Sequence, residues 1–262
     1  MWQAISRIPS YIAHQLTATG RHGVHSPFVY GLIDGVIRAE GAPPNALQLE
    51  RLRAQLLRDT QVISVTDHGA GPGRGPSGMR TVREIARTSM KPVHQAELLF
   101  RLAKARRPRT ILELGTSFGH STMYLAEGAP DSQVHTIEGC PEIHQQARKQ
   151  FVAVGHSEIH AHCGRFQDIL PGLLPELDPI DLAFIDGHHS EDATLALFEM
   201  IATHGDANTW LVLDDIHWSQ GMENAWKAIQ ERPRVMVTID LFHMGLVFFH
   251  SGQAKEHFRV RL

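Results

Sequence analysis

A chain of 262 residues is longer than one average domain and shorter than two, which favours one large α/β domain with an N-terminal addition. Apolar residues make up 42% of the chain and charged residues 20%, a globular composition that excludes a disordered or collagen-like protein. The 25 basic and 28 acidic side chains give a net charge of −3, which argues against nucleic acid as a partner.

The cysteines and the N-terminus indicate the compartment. Cys140 and Cys163 form no CxxC pair, and we find neither a secretion signal nor an apolar run long enough to cross a bilayer. We therefore expect a cytoplasmic protein without a membrane partner. The 18 histidines are spread from His14 to His257, so their number alone defines no site.

The first hundred residues show helical patterns interrupted by loops. Residues 2–16 and 45–58 predict amphipathic helices, and residues 24–28 are a candidate lid. The leucines predicted to share one face of the second helix are Leu47, Leu49, Leu52 and Leu56. The Gly/Pro-rich run 68–76 lacks the terminal Gly-Lys-Ser/Thr of a phosphate-binding loop, so a mobile loop is the better interpretation. We predict a helical cap over residues 1–91.

From residue 92 onwards, apolar runs alternate with helical patterns. The runs are 110–114, 134–137, 180–185 and 210–213, and the helical patterns are 121–127, 141–154, 191–203 and 220–231. This alternation predicts a second domain over 92–262 with a mostly parallel, doubly wound sheet. Runs 234–240 and 244–250 lie too close together for a helical crossover, so we expect an antiparallel hairpin at the sheet edge.

The first predicted strand leads into the segment ELGTSFGHS at residues 113–121, and a helix follows. Ligands of doubly wound sheets bind where such loops leave the carboxyl edge. Gly115 and Gly119 allow the backbone to approach a ligand closely, and Ser121 can cap the helix or donate to a carboxylate. The G-x-x-x-G spacing differs from the dinucleotide pattern G-x-G-x-x-G, and by itself it is equally consistent with a tight turn.

The second predicted strand ends at Glu138, 25 residues after Glu113. A carboxylate at this position of a Rossmann-type unit can accept both hydrogen bonds of a ribose diol. Together with the preceding loop, Glu138 predicts that the ligand contains adenosine.

These motifs resemble those of the class I S-adenosylmethionine-dependent methyltransferases, in particular the O-methyltransferases related to catechol and caffeoyl-CoA O-methyltransferases. The resemblance covers roughly residues 92–249. The whole chain, with VHSPF at 24–28 and DDIHW at 214–218, is also similar to a bacterial family of methyltransferases without an assigned substrate. The resemblance implies a Rossmann-like α/β fold with seven strands and an antiparallel C-terminal hairpin strand.

The resemblance also implies roles for individual residues in holding S-adenosylmethionine. Glu113 and the loop 115–119, which includes Ser117, would surround the methionine part of the cofactor. Ser121 would meet its carboxylate, and Glu138 would hold the ribose. In the segment GRFQD at 164–168, Gln167 is the nearest match to a residue that contacts adenine.

Three acidic residues follow the fourth and fifth predicted strands: Asp186, Asp214 and Asp215. At one sheet edge they would repel each other unless a cation lay between them, and a hard ion such as Mg²⁺ would bind them and still leave room for substrate oxygens. Metal-dependent O-methyltransferases carry Asp, Asp and Asn at these positions, so Asp215 departs from that pattern. Nearby histidines would favour Mn²⁺ or another softer ion. Alternatively, Asp186 caps a helix or holds the cofactor amine, and the other two cap the next turn.

His189 follows Asp186 by three residues, where the catechol-type enzymes carry a lysine that takes the hydroxyl proton. An imidazole can remove a proton at neutral pH, so we predict that His189 is the catalytic base and that Asp186 also belongs to the catalytic centre. A loop histidine bonded to the backbone is the alternative. His217 and Trp218 are candidate acceptor contacts, although an aromatic residue at such a position is more often part of the core.

We therefore predict a methyltransferase acting on a hydroxyl of a small-molecule acceptor with the help of a divalent metal. The alternatives are metal-free O- or N-methylation with His189 or His217 as base, a non-catalytic S-adenosylmethionine-binding protein, and a nicotinamide oxidoreductase. The C-terminal hairpin or the N-terminal helices would offer a homodimer interface. The sequence does not identify the acceptor.

Overall fold

The computed structural model describes residues 8–18, 24–66, 78–250, 252 and 254–261. The chain forms two compact units, one of Met1–Ala39 with Pro179–Leu262 and one of Glu40–Asp178. The predicted boundary between residues 91 and 92 does not coincide with either unit boundary, because residues 40–91 belong to the same unit as the strands that follow them. The Gly/Pro-rich run 68–76 lies outside the described residues.

The described helices and strands are numbered in chain order. The helices are α1 (Ile8–Thr17), α2 (Pro27–Leu32), α3 (Ala46–Leu56), α4 (Val82–Ser89), α5 (Val93–Arg106), α6 (His120–Gly128), α7 (Pro141–Val154), α8 (Phe166–Leu173), α9 (Glu191–His204) and α10 (Gln220–Glu231). The strands are β1 (Val62–Val65), β2 (Gly78–Thr81), β3 (Thr110–Leu114), β4 (Gln133–Glu138), β5 (His160–Cys163), β6 (Ile180–Ile185), β7 (Gly205–Asp214), β8 (Val237–Asp240), β9 (Met244–Phe248) and β10 (Glu256–Arg259). None of the described helices has the length and hydropathy that a membrane span requires.

The unit Glu40–Asp178 contains three parallel strands in the order β3, β4, β5, connected by α6 and α7. All five side chains of β3 are buried, as expected for a strand covered on both faces. Pro141 opens α7 and the left-handed Gly155 ends it, which explains why its limits agree with the sequence prediction. A separate antiparallel pair, β1 and β2, precedes α4.

Helix α3 agrees only partly with its predicted apolar face. Leu49 and Leu56 are buried, whereas Leu47 is exposed. Leu56 packs in a cluster with Phe118, a fully buried residue of the loop after β3. The helical N-terminal part of this unit therefore supports the predicted cofactor loop.

The other unit carries five strands in the order β10, β8, β9, β7, β6. Strand β7 runs parallel to β6 and antiparallel to β9, and β8 with β9 forms the predicted hairpin. The prediction that this hairpin lies at the edge was wrong, because β10 pairs in parallel with β8. Apart from the pair of β1 and β2, the described residues of the two units contain eight strands, β3 to β10, one more than the seven predicted.

Residues 24–28 pack on the sheet face of their own unit. The ring of Phe28 lies 5.1 Å from that of Phe248, 6.4 Å from that of Trp210 and stacks on His250 at 5.7 Å. Trp210 precedes the carboxyl end of β7 at Asp214 by four residues, about 13 Å along a strand. The aromatic contact of Phe28 is therefore remote from the strand end, which does not support the interpretation as a lid.

A stack of imidazoles on β4 and β5 predicts sensitivity to acid. The ring of His135 lies 4.6 Å from that of His160 and 5.5 Å from that of His162, with nearly parallel planes. Burial, reinforced by the charges of these two neighbours, lowers the pKa of His135 from 6.5 to about 4. Below pH 6.5, His135 thus binds a proton in the unfolded chain, whereas in the folded chain it stays neutral down to about pH 4.

The free energy of unfolding should therefore fall by about 2–3 kcal/mol as the pH falls from 6.5 towards 4. Urea unfolding at a series of pH values measures this slope. His135→Phe, which retains a flat ring, should flatten it, whereas the same change at the exposed His94 should not. An equal slope in wild type and His135→Phe would show that the stack is not responsible.

Candidate functional site

The loop after β3 has the backbone conformation expected of a ligand-binding turn. Gly115, Ser117 and Gly119 have positive φ angles of 103°, 47° and 80°. A left-handed conformation is unfavourable for a serine, so the surroundings must hold it. They do so with the Ser89 hydroxyl, 2.7 Å from Ser117 Oγ, and with the Glu138 carboxylate, which accepts the Ser117 N–H at 2.8 Å.

Glu113 lies fully buried beneath this loop. Its Oε1 accepts a hydrogen bond from the Ser121 hydroxyl at 2.6 Å. Its Oε2 accepts hydrogen bonds from the hydroxyls of Thr136, at 2.7 Å, and Thr122. The carboxylate thus ties the end of β3 to the first turn of α6 and to β4, and it supports the loop from below instead of lining it.

These hydrogen bonds change the interpretation of Ser121. The resemblance implied that Ser121 meets the cofactor carboxylate, and the sequence itself allowed a helix cap or a bond to any carboxylate. The only hydroxyl proton of a serine can serve one acceptor at a time, and in the structure that acceptor is Glu113. Ser121 therefore donates to a carboxylate of the chain itself.

Glu138, the predicted ribose-binding residue, is held by two backbone N–H groups. Its Oε2 accepts the Ser117 N–H at 2.8 Å and its Oε1 accepts the Cys140 N–H at 2.9 Å. A carboxylate oxygen has two lone pairs and can accept more than one hydrogen bond. The two backbone bonds fix its orientation, and the half-buried side chain fits a ribose diol.

Gln167 lies on the first turn of α8 and is exposed. The preceding Gly164 has a φ of 153°, and a Cβ there would approach Ile169 Cδ1 to 2.9 Å. Arg165 donates to Asp168 through Nε at 2.6 Å and Nη2 at 3.0 Å. The neighbours of Gln167 are thus engaged with one another, and its adenine contact stays a prediction.

In the other unit, two histidines follow β6 in strained conformations. His188 and His189 have φ angles of 67° and 31°. His189 Nε2 lies 3.6 Å from Asp186 Oδ1, and 29% of the His189 side chain is exposed. An imidazole beside a carboxylate and open to solvent has the arrangement of a general base.

Asp214 ends β7 as a buried residue, and the half-buried Asp215 follows with a φ of 52°. The Asp215 N–H donates to the His243 carbonyl at 2.7 Å. Among all described residues, including Asp186, no group of three or more His, Cys, Asp or Glu side chains is arranged to hold a metal ion. The three predicted ligands as placed do not fit a metal centre.

His217 does not have a nitrogen open for an acceptor. Its Nδ1 donates to Glu223 Oε1 at 3.1 Å and its Nε2 donates to Asp240 Oδ2 at 2.9 Å. Burial opposes the charged form, but the hydrogen bonds and charges of Asp240 and Glu223 outweigh it and raise the pKa of His217. His217 is therefore a poor base, whereas Trp218 is half-buried on the same loop.

Comparisons with known proteins show what this chain is similar to. A family model described as a methyltransferase domain matches residues 112–216, from within β3 to the loop after β7. Residues 112–216 are therefore similar to a methyltransferase domain, and this segment is called the methyltransferase domain below. The loop 115–119, Glu138, Gln167, Asp186, His189 and Asp215 all fall inside it.

The chain is similar to a catechol O-methyltransferase of Niastella koreensis, with 35% identity over 96 residues. That match covers 36% of this chain and 43% of the relative, so it spans less than half of either protein. Among solved structures, the O-methyltransferase from Bacillus cereus in complex with SAH has a TM-score of 0.55 at 22% identity, over 61% of this chain and 83% of that one. The SAH-bound Podospora anserina methyltransferase has a TM-score of 0.54 at 18% identity, over 80% and 98%. Both structures share the predicted fold.

Besides the Glu113 hydrogen bonds, a second set of contacts orients α6, and the sequence did not predict it. Glu50 of α3 accepts hydrogen bonds from the Tyr124 hydroxyl at 3.0 Å and from His120 Nε2 at 3.2 Å. The hydrogen bond from His120 contributes most to lowering the pKa of Glu50. Both partners lie on α6, which follows the cofactor loop. The separation of 70 residues between Glu50 and His120 gives no local signal in the sequence.

Proposed function

We propose that this chain transfers the methyl group of S-adenosylmethionine to a hydroxyl of a small molecule. The observation that carries the proposal is the loop 115–119, whose Ser117 N–H is held by Glu138 within a methyltransferase domain. When bound, S-adenosylmethionine supplies a methyl group on a positively charged sulfur. The chain's own contribution is then to hold the cofactor, align the acceptor hydroxyl and remove its proton.

The residues present fit the adenosyl group. The Glu138 carboxylate, oriented by two backbone N–H groups, is a hydrogen-bond acceptor of the kind that a ribose diol needs, and Gly115 and Gly119 keep side chains away from the turn. Glu113 and Ser121 act beneath this surface, where they keep α6 in place. The oxygen acceptor is supported by the catechol O-methyltransferase among the relatives.

His189 is the proposed base: Asp186 Oδ1, 3.6 Å from Nε2, would favour the tautomer that carries its proton on Nε2, and Nδ1 would accept the hydroxyl proton of the acceptor. We expect His189→Ala to lower turnover by about 10²–10⁴-fold while the affinity for S-adenosylmethionine is retained. Methyl transfer from labelled cofactor to a set of phenols and catechols, including 3,4-dihydroxybenzoate, measures this effect. His204→Ala, on the exposed end of α9, is the control. Unchanged turnover in His189→Ala would remove this residue from the mechanism.

The dependence of methyl transfer on a divalent metal distinguishes a metal-free from a metal-assisted form of this proposal. Because Asp186, Asp214 and Asp215 do not fit a metal centre as placed, we expect methyl transfer to persist in EDTA. Loss of activity in EDTA and its return with Mg²⁺ or Mn²⁺ would support the metal-assisted form predicted from the sequence. Absence of product with every acceptor, despite bound cofactor, would favour a non-catalytic binding protein.

A further inference from the structure

Helix α1 places two polar side chains four residues apart, on one face, against two carboxylates of its own unit. The Ser10 hydroxyl donates to Glu223 Oε1 at 2.6 Å. His14 Nε2 lies 3.2 Å from Asp240 Oδ1 and 3.1 Å from the Asp240 carbonyl. Ser10 and His14, about one helical turn apart, thus each face one acidic residue.

His217 connects the same two carboxylates, because its ring nitrogens donate to Glu223 and Asp240. Asp240 is almost fully buried and also accepts the Phe242 N–H at 2.8 Å, with Arg259 Nε at 3.7 Å. Although burial favours the neutral form, the hydrogen bonds from His14 and His217 hold the pKa of Asp240 well below its usual range. The network is therefore ionic and nearly closed to water.

An aromatic ring covers this network. Phe242 stacks on His217 with centroids 5.1 Å apart and planes inclined by 13°. The same ring meets Tyr11 at 5.0 Å and His14 at 5.6 Å. Side chains of α1 therefore contact both the charged and the aromatic parts of the arrangement around His217.

Polar contacts dominate the attachment of α1. Its large apolar side chains Tyr11, Ile12 and Leu16 are exposed, the last by 79%. His14, in contrast, is only 4% exposed, and its Nε2 faces Asp240, while its Nδ1 has no hydrogen-bond partner among the described residues. Loss of a donor to a buried carboxylate is strongly unfavourable, which makes Ser10 and His14 the main attachment points beside the exposed hydrogen bond from Arg259 Nη1 to the Thr17 hydroxyl at 3.0 Å.

The loop held by His217 carries the left-handed Asp215. A strained residue keeps its conformation only when several neighbouring contacts hold it. Two such contacts are the Asp215 N–H to the His243 carbonyl and the Trp218 N–H to the Asp215 carbonyl. The bonds of His217 to Glu223 and Asp240 hold the same loop from its other side.

We propose that α1 is a latch: Ser10 and His14, through Glu223 and Asp240, hold His217 and thereby fix the loop 214–218, which carries Trp218, the remaining predicted acceptor contact. Ser10 and His14 are then positioning residues for acceptor binding. This role rests on the proposed methyltransferase function, whereas the latch itself is a property of the chain without cofactor or acceptor.

Hydrogen–deuterium exchange of the full chain tests the latch. In His14→Leu, we expect the amides of residues 8–18 and of the loop 214–218 to exchange at least about tenfold faster than in wild type. Leu16→Ala, on the exposed face of the same helix, should leave both segments unchanged. The amide of Gly115, bonded to the Ile137 carbonyl in the other unit, should stay protected and so exclude global unfolding.

A conservative variant of His14 shows whether its hydrogen bond to Asp240 or only its volume holds the loop 214–218. His14→Gln retains an N–H donor that can reach Asp240, and it should restore most of the protection of the loop. Faster exchange confined to residues 8–18, with the loop unchanged, would overturn the latch, as would a failure of glutamine to rescue. With an acceptor identified, His14→Leu should raise its KM about tenfold while the Kd of S-adenosylmethionine is retained. If the exchange changes are as expected but no acceptor is methylated, only the proposed function is refuted and the latch stands.

Discussion

Glu113→Leu is expected to lower the free energy of unfolding by about 3–5 kcal/mol and to abolish binding of S-adenosylmethionine. Leucine fits the buried volume but leaves the hydroxyls of Ser121, Thr122 and Thr136 without their shared acceptor. Each hydroxyl left unpaired in a dry environment is unfavourable by about 1–3 kcal/mol. The start of α6 would then separate from β4, and the loop 115–119 would lose its support.

Denaturant unfolding and calorimetric titration measure the two effects of Glu113→Leu. Glu113→Gln is the matched variant, because its carbonyl accepts on one side and its amide donates to a rotated hydroxyl on the other. It should lower the unfolding free energy by only about 1–2 kcal/mol. Equal losses in the leucine and glutamine variants would mean that the three hydrogen bonds are not the source of stability.

Gly119→Ala is expected to weaken S-adenosylmethionine binding by at least about tenfold and to destabilise the chain by about 2–4 kcal/mol. A Cβ at Gly119 would lie 2.2 Å from Phe151 Cε1 on α7, and the φ of 80° is unfavourable for any side chain. The loop must therefore move away from α7, and the Ser117 N–H would leave Glu138.

Gly155→Ala isolates the conformational part of this effect. Gly155 has a φ of 90°, but a Cβ there would meet nothing within 4 Å. It should lower the unfolding free energy by about 1 kcal/mol and leave cofactor affinity unchanged. The difference between the two variants, measured by unfolding and titration, reports the contact with Phe151. Similar results for both would show that the close approach of the loop to α7 is unimportant.

The regular elements were predictable because their signals are local. Strands β3 and β6 are mostly apolar and fully buried, and α7 and α10 begin and end as predicted. The family model confirms the methyltransferase interpretation, since it matches the segment that carries the predicted cofactor motifs. Strand β10 was missed because its exposed and half-buried residues give no continuous apolar run.

The site was predictable in its residue types and less so in its contacts. Ser121 was expected to meet the cofactor, but its hydroxyl donates a hydrogen bond to a carboxylate eight residues earlier. His217 was expected to face the acceptor, but Asp240, 23 residues later, occupies Nε2. Such pairings depend on how strands align in space, and the spacing of residues along the chain does not encode them.

Calorimetric titration of S-adenosylmethionine into wild type and Glu138→Ala measures cofactor binding at the predicted residues most directly. We expect one molecule to bind per wild-type chain, no binding of NAD, and an affinity at least about 30-fold lower in Glu138→Ala, because two hydrogen bonds to a charged acceptor are lost. Glu176→Ala, at an exposed carboxylate of the same unit, should bind like wild type. Equal affinity in Glu138→Ala, or no binding by the wild type, would contradict a cofactor site at the ends of β3 and β4.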